Sequence, residues 1–296
     1  MPNIQTLFKD YLDYLEIEKN RSIKTRENYE HYLNRFSEFT KIQNPENITD
    51  EEVRKYRIEL NRLSPPLSKI TQNYHIIALR NFLKYLAKRE IKTLSPEKIE
   101  LARIPQREID ILGYADLERL LKTPQSGDLF ALRDKAILET LFSTGLRVSE
   151  LVRLNRDSID LKRKEFSVRG KGGKIRVVFL SPQAVSAIKN YLEKRGDIEE
   201  SLFVSANEKN KTPSRLTSRT IERLIKKYAT QAGIAKKVTP HSLRHLFATD
   251  LLQNGADLRS VQSLLGHANV STTQIYTHFT DRELKEIHQA FHGKKR

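Results

Sequence analysis

The chain has 296 residues, enough for two domains of ordinary size that each bury a core. Its 53 Lys and Arg against 37 Asp and Glu give a net charge of +16, a field that favours a polyanion, nucleic acid first and a membrane surface second. There is no cysteine, which excludes disulfide frameworks, zinc knuckles and thiol catalysis. No run approaches the ~20 apolar residues of a membrane span. The start, Met1-Pro2-Asn3-Ile4-Gln5, lacks the charged-then-apolar layout of a signal peptide, so a cytoplasmic protein is expected. The positive excess lies late: residues 1–105 carry 19 basic and 15 acidic side chains, residues 106–296 carry 34 and 22.

Helical spacing recurs through the first hundred residues, in Leu7, Tyr11, Leu12 and Leu15, in Tyr29, Leu33 and Phe36, and in Ile77, Leu79, Phe82, Leu83 and Leu86. Ser22, Thr49 and Ser68 are the expected caps, and Pro65-Pro66 separates the third helix from the fourth. A four-helix domain over 1–103 follows. Periodicity fades through Ile104-Pro105-Gln106-Arg107-Glu108, where Pro105 biases its predecessor to extended backbone, giving a linker over 104–112. The second domain, 113–296, opens with helices near 115–123 and 130–142, the latter ended at Thr144-Gly145. Glu165–Arg169 and Ile175–Leu180 then flank Gly170-Lys171-Gly172-Gly173-Lys174 as a hairpin with a glycine-rich tip. Further helices are expected at 182–195 (cap Ser181), 218–232 and 240–254 (cap Thr239), with short ones near 258–265 and 271–277. A last helix after Asp281 aligns Leu284, Ile287 and Phe291 on one face. The fold class is mainly α with a small β-sheet.

In His241-Ser242-Leu243-Arg244, positions i and i+3 share a helix face while Leu243, Phe247 and Leu251 lie toward another, so an imidazole and a guanidinium stand together at a helix start that itself favours a phosphate. The plain alternative is a surface helix with an exposed, ion-pairing Arg. His241 and His245 as metal ligands fit poorly: the zincin pattern needs Glu after the first His, and Ser242 stands there. Arg147 follows the break at Gly145, and Glu150, three residues on, can orient its planar fork for bidentate donation to a phosphate. Lys171 sits where flanking glycines let backbone approach a groove, and it can protonate a leaving oxygen; a solvated turn is the bland reading. Tyr276 is one of 11 tyrosines, and its phenol, with an ordinary pKa of ~10, needs a proton acceptor and cationic neighbours to act as a nucleophile. Two arginines, two histidines (His241 and His267), a hairpin lysine and a phenol together suit breaking a phosphodiester without metal or other cofactor. They point to DNA strand exchange.

Thr144-Gly145-Leu146-Arg147-Val148-Ser149-Glu150, the hairpin lysine, His241-Ser242-Leu243-Arg244-His245, Leu265-Gly266-His267 and Tyr276 nine residues later stand in the order of the tyrosine recombinase (phage integrase) family, which the chain resembles over about 115–285. Its helical N-terminal region is similar to the family's core-binding, SAM-like domain. The resemblance implies an α+β catalytic domain in which Arg147 and Arg244 clamp the scissile phosphate and Lys171, chosen over Lys174 by the G-K-G pattern, is the general acid. His241 and His267 assist, Tyr276 is the nucleophile, and His245 and His278 are bystanders. It further implies a covalent 3′-phosphotyrosyl intermediate, a Holliday junction, and a homo- or hetero-tetramer on two double-stranded DNA sites. The short N-terminal region favours an Xer-like recombinase resolving chromosome dimers, with a DNA-translocating motor as a possible partner. The C-terminal helix either docks onto a neighbouring protomer or packs on its own domain. The alternatives are a mobile-element integrase, a type IB topoisomerase and a DNA-binding factor that no longer cuts. By charge and position, Lys24, Thr25, Arg26, Lys69, Thr71, Arg80, Arg215, Thr217 and Arg219 are candidate DNA contacts, each equally readable as solvated surface.

Overall fold

The computed structural model describes residues 3–104, 112–170, 173–207 and 210–266, with backbone alone at 206, 207, 210 and 211. The chain divides into two compact units, Met1–Glu108 and Ile109–Arg296, each with its own hydrophobic core. Most of the expected linker, the helix expected at 271–277 and the one after Asp281 fall outside the described residues.

In the first unit α1 (Ile4–Asp13), α2 (Ile23–Thr40), α3 (Asp50–Arg62) and α4 (Lys69–Lys88) form a bundle. The caps are those the sequence implies: the hydroxyls of Ser22, Thr49 and Ser68 accept from the backbone N–H three residues on, at 3.2, 3.3 and 3.2 Å. α1 runs on into one turn of π-helix, Tyr14–Glu18, which the apolar spacing does not reveal. The spacing does reveal the core, where Leu33, Phe36, Leu79, Phe82, Leu83 and Leu86 are all within 1% of full burial. Phe82 meets Phe8 edge-on at 4.8 Å and Tyr11 at 5.5 Å.

Inside this bundle an uncharged polar pair joins α3 to α4. Tyr56 Oη and His75 Nδ1 lie 2.9 Å apart, both side chains buried, with Tyr32 packed 4.4 Å from the imidazole. Burial first, and then the positive charge of Arg35 and the neighbouring His31, push His75 down to about 4 from an ordinary 6.5. A depressed folded value means the unfolded chain binds the extra proton, so stability is complete above pH 6.5 and drains as pH falls toward about 4. Denaturant unfolding of the full chain should show this unit losing about 3 kcal/mol more than a His75→Gln variant over that interval. Parallel stability profiles for the two proteins would show that His75 titrates normally.

The second unit is organised by α6 (Leu129–Thr144), which follows α5 (Tyr114–Lys122) and packs against α8 (Pro182–Glu193) and α10 (Pro240–Gln253). Ala136, Ile137, Leu138, Thr140 and Leu141 bury α6 on more than one face. Its end is fixed sterically: Gly145 has φ +58°, and a Cβ there would lie 2.4 Å from Phe247 Cδ1. Between α6 and α8 come the short α7 (Val148–Leu151) and the hairpin β1 (Glu165–Arg169) with β2 (Ile175–Phe179), antiparallel with Ser167 opposite Val177. Phe166, Val168 and Val178 face the core, and Ile175, Val177 and Phe179 face out.

A second hairpin, β3 (Val204–Asn207) with β4 (Asn210–Arg215), was not expected from the sequence, since Asn207–Arg215 is polar and offers no alternation to read. It precedes α9 (Ser218–Gln231), α10 and α11 (Leu258–Leu265). Asp134 joins α6 to α9, accepting from Tyr228 Oη at 3.0 Å and from Arg133 at 2.6 and 2.8 Å, while Arg133 also donates to Val204 O. Arg195, 7% exposed, shapes the turn after α8 by gripping Asp197 through two bonds of 2.7 Å and donating to the carbonyls of Glu199, Ser201 and Leu202.

Candidate active site

The site begins where α6 stops. Once Gly145 has turned the chain, Leu146 is fully buried and Arg147 becomes the cap of α7. Glu150 binds Arg147 twice, accepting from its backbone N–H at 2.8 Å and from Nη1 at 2.9 Å. This is the orienting role that the three-residue spacing implies.

Glu150 also accepts two bonds from Arg176 on β2, at 2.9 and 3.0 Å. Burial alone would raise the Glu150 carboxyl, but the guanidinium of Arg176 and the N–H groups of Arg147 overcome it and hold the group down at about 2. The carboxylate therefore stays ionised between two arginines throughout the physiological range.

Three arginines converge on the last carbonyls of α11. Arg176 Nε donates to Leu264 O at 3.0 Å, Arg244 Nη2 to Leu265 O at 2.6 Å, and Arg147 Nη2 reaches Gly266 O at 3.4 Å. Arg244 Nη1 also donates to Gly145 O. A helix ends with unpaired carbonyls and partial negative charge, which makes it a natural seat for cations. Here the last turn of α11 fixes three guanidinium groups relative to one another.

α10 is not the surface amphipathic helix that the plain alternative supposes. Arg244 is 2% exposed and His245 8% exposed, so the helix is buried on most sides. His241, near its start behind the Thr239 cap, faces solvent. Its imidazole packs edge-on to that of His245 at 4.1 Å. Desolvation, then the Arg244 and Arg147 guanidinium groups, lower its proton affinity below the ordinary 6.5, so it is neutral at pH 7. Among the described residues no third His, Cys, Asp or Glu joins this pair in a metal-binding cluster.

Arg147, His241 and Arg244 line one cleft of about 1040 Å³. Arg219, Arg223 and Lys226 of α9 line it too, together with Lys236 and Lys237, against Glu222 as the acidic lining residue among those described. Positions 219, 223 and 226 share a helix face opposite the buried Ile221, Leu224, Ile225 and Tyr228, a spacing that marks a basic stripe in the sequence. A cleft with so large an excess of positive charge concentrates field and suits a phosphodiester backbone.

Of the six expected catalytic residues the structure brings together Arg147, His241 and Arg244, while Lys171, His267 and Tyr276 lie outside the described residues, as does His278. Of the candidate DNA contacts, Arg219 lies in the cleft. Thr25, Thr71 and Thr217 belong to helix starts: the first two pair with the capping hydroxyls of Ser22 and Ser68, and Thr217 caps α9. Lys24 pairs with Glu27, Lys69 with Asn61, and Arg26 lies within 3.1–3.8 Å of the carboxylates of Asp13, Glu16 and Glu30. Arg80 is half-buried on α4, and Arg215 donates to the carbonyls of Val152 and Leu154 and to Asn155 Oδ1. Sequence reasoning missed Arg176, although strand alternation places it on the inward side with Val178, where a cation needs a carboxylate.

Residues 111–283 match the phage integrase family, and residues 8–90 match the phage integrase N-terminal SAM-like domain. The tyrosine recombinase XerC of Pelobacter propionicus is 37% identical over 291 residues, spanning 96% of this chain and 94% of that protein. The tyrosine recombinase XerD of Oceanobacillus iheyensis is 35% identical over 303 residues, spanning 98% and 99%. Among solved structures, the XerH site-specific recombinase bound to palindromic difH substrate, a post-cleavage complex, is 26% identical with a TM-score of 0.71, covering 94% of this chain and 82% of that one. The arginine-centred cleft therefore sits in a chain that belongs to the phage integrase family of DNA-cleaving and rejoining enzymes, as an Xer-type tyrosine recombinase.

Proposed function

We propose that the chain performs site-specific recombination through a covalent 3′-phosphotyrosyl intermediate and a Holliday junction, and that its role is the resolution of chromosome dimers. The cleft carries this reading: two arginines held by the same helix end stand beside a neutral histidine in a basic groove.

In the proposed reaction Tyr276 gives its phenolic proton to His241, its oxygen attacks the scissile phosphorus, and the bond to the 5′-oxygen breaks. That oxygen takes a proton from Lys171 and leaves as a hydroxyl. The reverse step, with a partner strand's 5′-hydroxyl as attacker, rejoins DNA and releases the tyrosine. The phosphoester is conserved throughout, so no ATP is consumed. Arg147 and Arg244 stabilise the added charge of the pentacoordinate phosphorus. His241, neutral at pH 7, assists proton transfer, and His267 donates a hydrogen bond to the phosphate. The partners are double-stranded DNA at a specific site and further recombinase protomers, as a tetramer on two sites, with a DNA-translocating motor as the activating partner. XerC and XerD relatives that align along nearly the whole chain favour this role over that of a mobile-element integrase.

Incubating the wild-type chain and Tyr276→Phe with nicked fragments of host DNA, then denaturing and sequencing what remains attached, tests the reading. An adduct at one discrete site, absent from the variant, is expected. No adduct despite DNA binding would make the protein a binding factor, and plasmid relaxation without recombinants would make it a topoisomerase. At the captured site Arg147→Ala should slow single-turnover cleavage roughly a hundredfold or more, equivalent to ~3 kcal/mol. If about 6–10 phosphates are contacted, affinity measured by titration should fall about 10³–10⁵-fold between 50 and 200 mM salt, and a flat response would contradict the basic cleft as the DNA seat.

A further inference from the structure

The Arg176 guanidinium touches more of the site than its ion pair with Glu150. It donates to Leu264 O, and it lies under two glycines: a Cβ on Gly266 would fall 3.1 Å from Arg176 Cδ and 3.3 Å from Nη1, and a Cβ on Gly170 would fall 3.4 Å from Nη1. Gly266 has φ +63°, a left-handed turn that closes α11, and the guanidinium is seated against the space where a side chain would stand. In sequence these glycines immediately precede Lys171 and His267. The same guanidinium shares Glu150 with Arg147. Its side chain is 11% exposed, against 34% for Arg147, so it is sealed behind the cleft and does not line it.

We infer that Arg176 is a positioning residue of the strand-cleavage reaction, the strut that holds the β1–β2 hairpin and the end of α11 in one fixed relation to Arg147. This rests on the recombinase reading above. The chemistry asks for arginine: the planar fork spans both oxygens of Glu150 while its Nε reaches a third acceptor, a geometry that an ammonium group cannot reproduce. Among the described residues Arg176 bonds to Glu150 and to the Leu264 carbonyl, and it does not line the cleft. Its effect passes through Glu150 to Arg147, and it braces the backbone at Gly170 and Gly266.

The test compares full-length wild type with Arg176→Met and Arg176→Lys, using as probe the nicked duplex that wild type captures in a Tyr276-dependent adduct. Single-turnover adduct formation should slow about 10- to 100-fold in Arg176→Met, as expected for a displaced catalytic geometry, while affinity for the same duplex stays within about twofold. Arg176→Lys, which keeps the charge and loses the fork, should recover only part of the rate. A rate within about threefold of wild type in both variants, or a loss that follows affinity or folded fraction in proportion, overturns the inference. A second measurement needs no DNA: carbon-13 titration of the Glu150 carboxyl should move from about 2 toward the ordinary 4.5 or above in Arg176→Met, and an unmoved titration overturns the strut. Failure of wild type to capture any DNA overturns the recombinase reading instead, leaving that titration to judge whether Arg176 holds Glu150.

Discussion

The end of α11 governs the geometry of this site. Three successive carbonyls, those of Leu264, Leu265 and Gly266, accept from Arg176, Arg244 and Arg147. Three guanidinium groups so close would repel one another in any other setting. Among the described residues two things hold them: the negative end of the helix, roughly half a charge, and the carboxylate of Glu150, shared by Arg147 and Arg176. In the proposed reaction, guanidinium groups fixed in advance beside the cleft suit the extra negative charge of a phosphoryl transition state.

Such a cluster is unstable without its fold, and the surrounding elements are arranged accordingly. Gly145 turns the chain so that its carbonyl meets Arg244, and the absence of a side chain there admits Phe247, which packs with Val261 and Leu265 under α11. α6 supplies the rigid base, buried on several faces, from which α7 projects Arg147. A change that loosens α6 against α10 would therefore draw Arg244 away from its acceptor at Gly145, and so alter the site without touching it.

Features encoded within a few residues were legible in the sequence. Caps at Ser22, Thr49, Ser68, Ser181 and Thr239, the stop at Gly145 and the first hairpin are three- to five-residue signals and stand where the sequence implies. The Arg147–Glu150 pair belongs to this class. What the sequence conceals is non-local: Arg176 meets Glu150 across 26 residues, Arg244 meets Gly145 across 99, and Arg147 meets Gly266 across 119. Nothing in the local pattern of α10 distinguishes an arginine held by distant carbonyls from one in solvent. Thr25, Thr71 and Thr217, attractive as polar contacts beside basic residues, have a nearer use at helix starts.

The cations of the second unit divide by burial into two kinds with different physics. Arg219, Arg223, Lys226, Lys236 and Lys237 are exposed, lie along the cleft, and attract a polyanion by displacing counterions, an effect that salt screens and that demands little geometric precision. Arg244 is buried and the Arg176 side chain only 11% exposed, with acceptors already in place before any phosphate arrives, and low local polarity protects them from screening. Burying a guanidinium costs several kcal/mol unless every exposed alternative is replaced by a hydrogen bond, so the fold carries that cost in advance. On the proposed function the consequence is separable control: ionic strength sets how often DNA occupies the cleft, while the end of α11 sets what happens to the phosphate once it is there.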